Sequence, residues 1–136
     1  MNVENRLLPT QEQIEELSEE GHGRPIYMVN LLKFKEKAEY EDGRETDLTG
    51  QQAYGIYAGE VTGHLAKVDG KPVMGGEVTG LRLGIVEDLW DVVAIAMYPN
   101  RKAMLQMITD PEYQKSAVHR AAGLEGQLNI EMVLPE

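Results

Sequence analysis

Cysteine is absent from the 136 residues, and with it disulfides, thiolate nucleophiles and Cys-ligated zinc or iron–sulfur centres. Serine is nearly absent. Ser18 and Ser116 are the only two, and neither stands in a G-x-S-x-G turn, so a serine-hydrolase elbow has no support. Neither G-x-G-x-x-G nor a Walker-type lysine loop occurs, and Gly75-Gly76 followed by Gly80 matches neither pattern, so no nucleotide cofactor is expected. Positive charge is in deficit: 13 Lys and Arg face 23 Asp and Glu, a net charge of −10. Phosphate backbones and anionic lipid would be repelled, which argues against nucleic acid or a membrane as partner. No apolar run reaches bilayer length, and Met-Asn-Val-Glu-Asn-Arg lacks the basic start and apolar core of a secretory signal. A cytoplasmic protein is the expectation. His22, His64 and His119 never occur as H-x-H or H-x-x-H; Glu60 with His64 is the one i, i+4 pair able to grip a metal, and a solvated charge pair is its plainer reading. No metal and no cofactor are expected.

What is present suits an ordinary globular chain, with 42% hydrophobic and 26% charged residues. A chain this long buries about 70% of its extended surface, which one core can do. Thr10 and Gln13 stand at capping-box spacing before Ile14 and Leu17, predicting a short helix that ends near Gly21. Residues 1–24 are thus read as a helical extension and 25–136 as the domain proper. Ile26 to Phe34 is apolar on both parities, so both faces of that strand must be covered. In 36–47 eight of twelve positions are charged, which reads as a solvated loop. Thr49 and Gln52 repeat the capping box, and Ala53, Tyr57, Val61, Leu65 and Val68 make one apolar stripe on the next helix. Gly55, Gly59 and Gly63 lie on an adjacent stripe, for which close backbone approach is the expected reason.

After the Asp69-Gly70-Lys71-Pro72 turn, Val73 to Val86 reads as a polar, Gly-interrupted edge strand. Val92 to Tyr98 is again apolar on both parities. Asn100 then opens a helix, and Asp110-Pro111 caps its continuation to about Gly123. The last strand alternates, with Leu128, Ile130, Met132 and Leu134 expected inward and Asn129 and Glu131 outward. The order strand, helix, strand, strand, helix, strand predicts an α+β ferredoxin-like domain, β-α-β-β-α-β, whose four-stranded antiparallel sheet runs 4-1-3-2. Two helical elements cover one sheet face. The other needs a partner, and the same face of a second copy is the simplest, giving a homodimer.

Several residues are candidates for chemistry. Asn30 is a polar side chain in a strand expected to be central, and reads equally as a structural tie or a ligand contact. Tyr54, Tyr57 and Tyr98 would place hydroxyls in an apolar space, or would simply fill the core. His119 beside Arg120 reads either as a titratable group next to an anion receptor or as a cation pair at a helix C-terminus. Asp91, after Trp90, reads as a turn residue.

Tyr27-Met-Val-Asn-Leu-Leu-Lys-Phe34, Tyr54 with Tyr57, Trp90-Asp91, Tyr98-Pro-Asn-Arg101, Asp110-Pro-Glu-Tyr113 and His119-Arg-Ala-Ala-Gly-Leu124 together resemble the domain-of-unknown-function family numbered 1330 over about residues 25–136. The resemblance implies the dimeric α/β-barrel superfamily, whose members include cofactor-independent monooxygenases, isomerases and dehalogenases beside proteins with no known activity. The resulting expectation is a homodimer binding a small aromatic or carboxylate-bearing molecule between sheet and helices. Asn30, Tyr54 and Tyr57 would orient the ligand, Arg120 would contact its anionic group, and His119 and Tyr98 would be catalytic if proton transfer or cofactor-free oxygenation occurs. Whether the protein is an enzyme at all stays open; the alternative is a non-enzymatic ligand-binding or structural module.

Overall fold

A computed structural model describes residues 2–136, and its elements follow the caps and periodicities closely. Helix α1 (Gln11–Leu17) starts at a reciprocal capping box in which the Gln13 amide donates to Thr10 Oγ1 at 3.2 Å and the Thr10 amide donates to Gln13 Oε1 at 2.9 Å. Strand β1 (Ile26–Phe34) leads to helix α2 (Gly50–Lys67), opened by the same device at Thr49 and Gln52. Strands β2 (Lys71–Glu77) and β3 (Val92–Tyr98) precede α3 (Arg101–Ile108) and α4 (Pro111–Gly123). Asn100 caps α3 through the Ala103 amide at 2.8 Å, and Asp110 caps α4 through the Glu112 amide at 2.9 Å with Pro111 in the first turn. Helix α4 passes without a loop into β4 (Leu124–Met132).

The four strands form one sheet in the order β2-β3-β1-β4, all neighbours antiparallel, which is the 4-1-3-2 ferredoxin-like arrangement. Directly paired residues share a face, so the register sorts the side chains. Ile26, Met28 and Tyr98 pack with Tyr57, Leu65, Met107 and Tyr113 into the core between sheet and helices. The opposite parity puts Tyr27, Val29 and Leu31 of β1 beside Met97, Ile95 and Val93 of β3 and Met132, Ile130 and Leu128 of β4. Among the described residues no helix covers that second face, and it is apolar at these nine positions, with Lys33 following at the Phe34 end.

Four local expectations are corrected. The polar edge strand β2 ends at Glu77 rather than Val86: Gly75 and Gly76 weaken it, and the Val78 amide turns to the Asp91 carbonyl at 2.9 Å, closing the root of a long loop. In β4 the apolar alternates face the uncovered side of the sheet, while Gln127, Asn129 and Glu131 lie on the helix side; Ile130, Met132 and Leu134 are 49%, 39% and 48% exposed in the protomer. The charged 36–47 loop is not wholly solvated. Ala38 and Tyr40 are buried against Ala53 and Ala122, and the Glu39 amide donates to the Ala122 carbonyl at 3.0 Å. Finally, a Cβ at Gly55, Gly59 or Gly63 would meet nothing within 4 Å, so the α2 glycines lie on open surface. The close approach is elsewhere: a Cβ on Gly50 would sit 2.6 Å from the Gly123 carbonyl oxygen, and one on Gly123 would sit 2.8 Å from the Tyr54 amide nitrogen.

Residues before β1 are stitched across the sheet's β4 edge. Arg6 and Gln127 exchange backbone hydrogen bonds at 3.0 and 2.9 Å, and Trp90 Nε1 donates to Asn5 Oδ1 at 2.7 Å. Helix α1 itself buries no residue completely.

Candidate functional site

The core holds an aromatic ladder that α2 and α4 build from opposite sides. Ring centroids step from Phe34 to Tyr54 at 5.4 Å, to Tyr57 at 5.3 Å, to Tyr113 at 6.0 Å and to His64 at 5.7 Å. The Tyr57 and Tyr113 hydroxyls share a hydrogen bond at 2.9 Å, and His64 Nε2 meets Ser116 Oγ at 2.8 Å. His64 therefore faces a serine and a tyrosine rather than pairing with the exposed Glu60. Burial raises the phenol of Tyr54 to about 12, the nearby Arg120 charge pulling the other way. Burial also raises Tyr57, helped by its partner Tyr113, and raises Tyr98. At neutral pH all three are protonated, so each is able to donate a hydrogen bond and none is a base. The Tyr54 and Tyr98 hydroxyls have no hydrogen-bond partner among the described residues, whereas Tyr57 is committed to Tyr113.

A polar chain crosses the helix side of β1 and β4. Arg120 Nε and Nη2 donate to Gln127 Oε1 at 3.1 and 2.7 Å, and Nη2 also donates to the Leu7 carbonyl at 2.8 Å. Gln127 Nε2 then donates to Asn30 Oδ1 at 2.9 Å, where Asn129 Nδ2 also donates. Asn30 Nδ2 in turn donates to the Ala94 carbonyl at 3.1 Å and the Met28 carbonyl at 3.3 Å. Both ends of the Asn30 amide are thus occupied by protein groups. Arg120 differs: its partners are neutral, and among the described residues it is the one arginine not classed as exposed that lacks a carboxylate partner. A half-buried guanidinium without a counter-ion is unusual, above all in a chain of net charge −10.

Consecutive residues on a helix point about 100° apart, which separates His119 from Arg120. His119 turns to the 36–47 loop, where its Nδ1 shares a 2.7 Å hydrogen bond with the Tyr40 hydroxyl, and Arg44 stacks 4.4 Å over the Tyr40 ring while pairing with Asp42. The structure thus joins Asn30 to Arg120 through Gln127 and joins Tyr54 to Tyr57. It sets His119 in a separate cluster and leaves Tyr98 in the core with Tyr57.

Sequence reasoning passed over Gln127, Tyr113, Tyr40 and the His64–Ser116 pair. Two signals were available: a lone aromatic in an otherwise charged loop, and polar alternates in a strand whose other alternates are apolar.

Two depressions open on the surface. One, of about 220 Å³, is lined by Arg24, Tyr27, Leu134, Pro135 and Glu136 at one end of the uncovered sheet face. The other, of about 190 Å³, is lined by Tyr40, Glu41, Asp42, Val118 and Ala121. Neither touches Asn30, Tyr54, Tyr57, Tyr98 or Arg120. Among the described residues no three His, Asp or Glu side chains converge as a metal site would require, and no helix is long and apolar enough to cross a membrane.

Solved structures similar to this chain include two of RPA0582, a protein of unknown function from Rhodopseudomonas palustris. The methylated form is 32% identical, over 97% of this chain and 96% of that one, with a TM-score of 0.87. The other is 29% identical over 98% and 99%, with a TM-score of 0.86. SnoaB, a cofactor-independent oxygenase from Streptomyces nogalater, is 13% identical over 83% of this chain and 95% of its own, with a TM-score of 0.50, a likeness of fold alone. No protein-family model matches the chain, and no curated protein matches it.

Proposed function

Since the chain belongs to the family of RPA0582, whose function is unknown, we propose a reading from its own side chains: a homodimer in which each protomer binds a small carboxylate-bearing aromatic compound beside Arg120. The observation that carries this is the guanidinium itself, half-buried, held by Gln127 and Leu7 but by no carboxylate. Tyr54 supports it, being an aromatic surface near that charge with a protonated hydroxyl and no hydrogen-bond partner among the described residues. Arg120 takes the anion and Tyr54 donates to it or stacks on the ring. The saturated Asn30 holds Gln127, and through it Arg120, in place. Residues 25–136 form the domain, a member of the domain-of-unknown-function family 1330, and residues 1–24 act as a clamp that supplies the Leu7 carbonyl. Two copies meet through the uncovered sheet face, in a cytoplasmic protein.

Benzoate against benzamide is the direct test, followed by hydroxybenzoates and short hydroxy acids, each by thermal shift and calorimetry. Benzoate-type ligands should bind at least tenfold tighter than their amides, and Arg120→Met should remove that preference. Equal binding of acid and amide would refute the assignment.

A second reading, a cofactor-independent oxygenase or isomerase, draws on Tyr40, which lines the 190 Å³ depression and shares a hydrogen bond with His119, the general base of that reading. Turnover of a bound ligand that is lost in His119→Ala with binding retained would favour it. Binding without turnover leaves the non-enzymatic module.

A further inference from the structure

The loop between β2 and β3 carries the most exposed large apolar side chains of the fold: Leu83 is 92% exposed and Ile85 97%, with Leu81 at 43%. A floppy loop would need no explanation for this, but the root is fixed. Lys33 Nζ donates to the Leu89 carbonyl at 3.1 Å and lies 3.2 Å from Asp88 and 3.6 Å from Asp91. Asp91 Oδ2 accepts from the Phe34 amide at 2.8 Å. The loop is therefore an arm anchored at the Phe34 end of the sheet with an apolar tip held in water.

At the opposite end of the same sheet lies the 220 Å³ depression, whose walls include Tyr27 from the uncovered face and Leu134 and Pro135 from the chain after β4. Its size is of the order needed for two branched aliphatic side chains. We propose that the arm of each protomer seats Leu83 and Ile85 in this depression on a second copy of the chain. The inference rests on the dimer reading above. It adds the symmetry: the two-fold axis lies in the plane between the two sheets and crosses the strands, which lays the arm end of one sheet over the depression end of the other.

Two further observations favour a second copy as occupant. Four strands at about 4.8 Å spacing and seven paired residues at about 3.3 Å rise cover a footprint of about 440 Å². A stable interface takes about 800 Å² from each partner, so the flat face needs contacts beyond its edges. Charge agrees as well. Arg82, between Leu81 and Leu83, has no carboxylate partner among the described residues, and Glu136 at the rim of the depression is held only by Arg24 at 3.4 Å.

The cysteine-free chain makes the test clean. Ile85→Cys and Leu134→Cys are made singly and together, and oxidised mildly at micromolar concentration after circular dichroism of the reduced forms confirms the fold. Within one chain the two positions lie at opposite ends of a sheet whose nine-residue β1 spans about 26 Å, far beyond disulfide reach. The double variant should run as a covalent dimer on a non-reducing gel, and each single variant as a monomer. Efficient cross-linking of Ile85→Cys alone would mean that arms meet arms, and would overturn the axis. A dimer by light scattering that fails to cross-link in the double variant would overturn the seating of the arm while leaving the sheet-face dimer. A monomer by light scattering would overturn both. As a second measurement, Leu83→Ser with Ile85→Ser should weaken dimerisation at least tenfold, and an unchanged dissociation constant would count against the arm.

Discussion

The same substitution, glycine to alanine, should have opposite signs at two places on the α2–α4 layer. At Gly123 a Cβ would press into the Gly50 carbonyl oxygen and stand 2.8 Å from the Tyr54 amide nitrogen. Both are backbone atoms of a neighbouring helix, so the helices must part. Overpacking of this kind costs about 1–3 kcal/mol. Parting also strains the hydrogen bond that the Gly123 carbonyl accepts from the Lys35 amide at 2.8 Å, and the adjoining one from Glu39 to Ala122 at 3.0 Å, for about 1 kcal/mol more. The position is the last of α4, so little helix propensity is regained. The net expectation for Gly123→Ala is a loss of about 2–4 kcal/mol, or about 8–16 °C in Tm at about 4 °C per kcal/mol for a chain of this size.

Gly59 is the control. It lies mid-helix on α2, nothing stands within 4 Å of its added Cβ, and its φ is not positive. Gly59→Ala should therefore stabilise by about 0.5–1 kcal/mol, through the narrower unfolded ensemble and better helix propensity. Urea and thermal unfolding followed by circular dichroism at one fixed protomer concentration would read both, since the proposed dimer would make stability concentration-dependent. A Gly123→Ala variant within about 0.5 kcal/mol of the parent, or a destabilised Gly59→Ala, would refute the assignment of the close contact.

Val29→Asp places a carboxylate between Ile95 and Ile130 on the uncovered face, and should convert a species of about twice 15.2 kDa into a folded monomer by light scattering; a parent protein already monomeric at micromolar concentration would refute the dimer. For Tyr54, folding raises the phenol from about 10 to about 12, so both states are protonated below pH 10 and nothing is lost there. Stability should fall as pH climbs from about 10 to 12, by about 3 kcal/mol from this group, with Tyr57 and Tyr98 acting in the same direction. Absorbance of phenolate against pH should show these tyrosines ionising with unfolding rather than before it. Asn30→Leu strands the Gln127 amide and the Ala94 carbonyl, and should cost about 2–3 kcal/mol by denaturant titration while narrowing the preference of benzoate over benzamide, because Gln127 no longer holds Arg120; an unchanged preference would count against that positioning.

Helix starts were legible because they are local. Thr10, Thr49, Asn100 and Asp110 each declare a cap within three residues, and each is observed capping. The two central strands were legible because they are apolar on both parities. The limit of β2 was not, since Val78 to Val86 carries more β-formers than the strand before it, and only the long-range bond from Val78 to Asp91 decides where pairing stops. The candidate site was legible in kind but not in grouping. Asn30 and Arg120 are 90 positions apart and meet through Gln127, whose place among the polar alternates of β4 does not say which residues it joins, while His119 and Arg120 are adjacent and diverge. Side-chain partnership across a fold depends on register and helix rotation, and sequence spacing carries neither between elements.

The last strand shows what this means for assembly. Alternation in β4 was plain, yet taking its apolar set as the buried set assumed that the helices do the burying. The helix side instead receives Gln127, Asn129 and Glu131, because that side meets polar partners: Gln127 holds Arg120, and Glu131 holds Arg101 at 2.7 Å. With the polar alternates already bound beneath the helices, Leu128, Ile130 and Met132 have no place left within the protomer. They join Tyr27, Val29, Leu31, Val93, Ile95 and Met97 on a surface that one chain cannot bury. A strand that commits its polar face inward commits its apolar face to another molecule. The proposed dimer therefore rests on the same register that assembles the Arg120 cluster, and a slip of one residue in β4 would destroy both together.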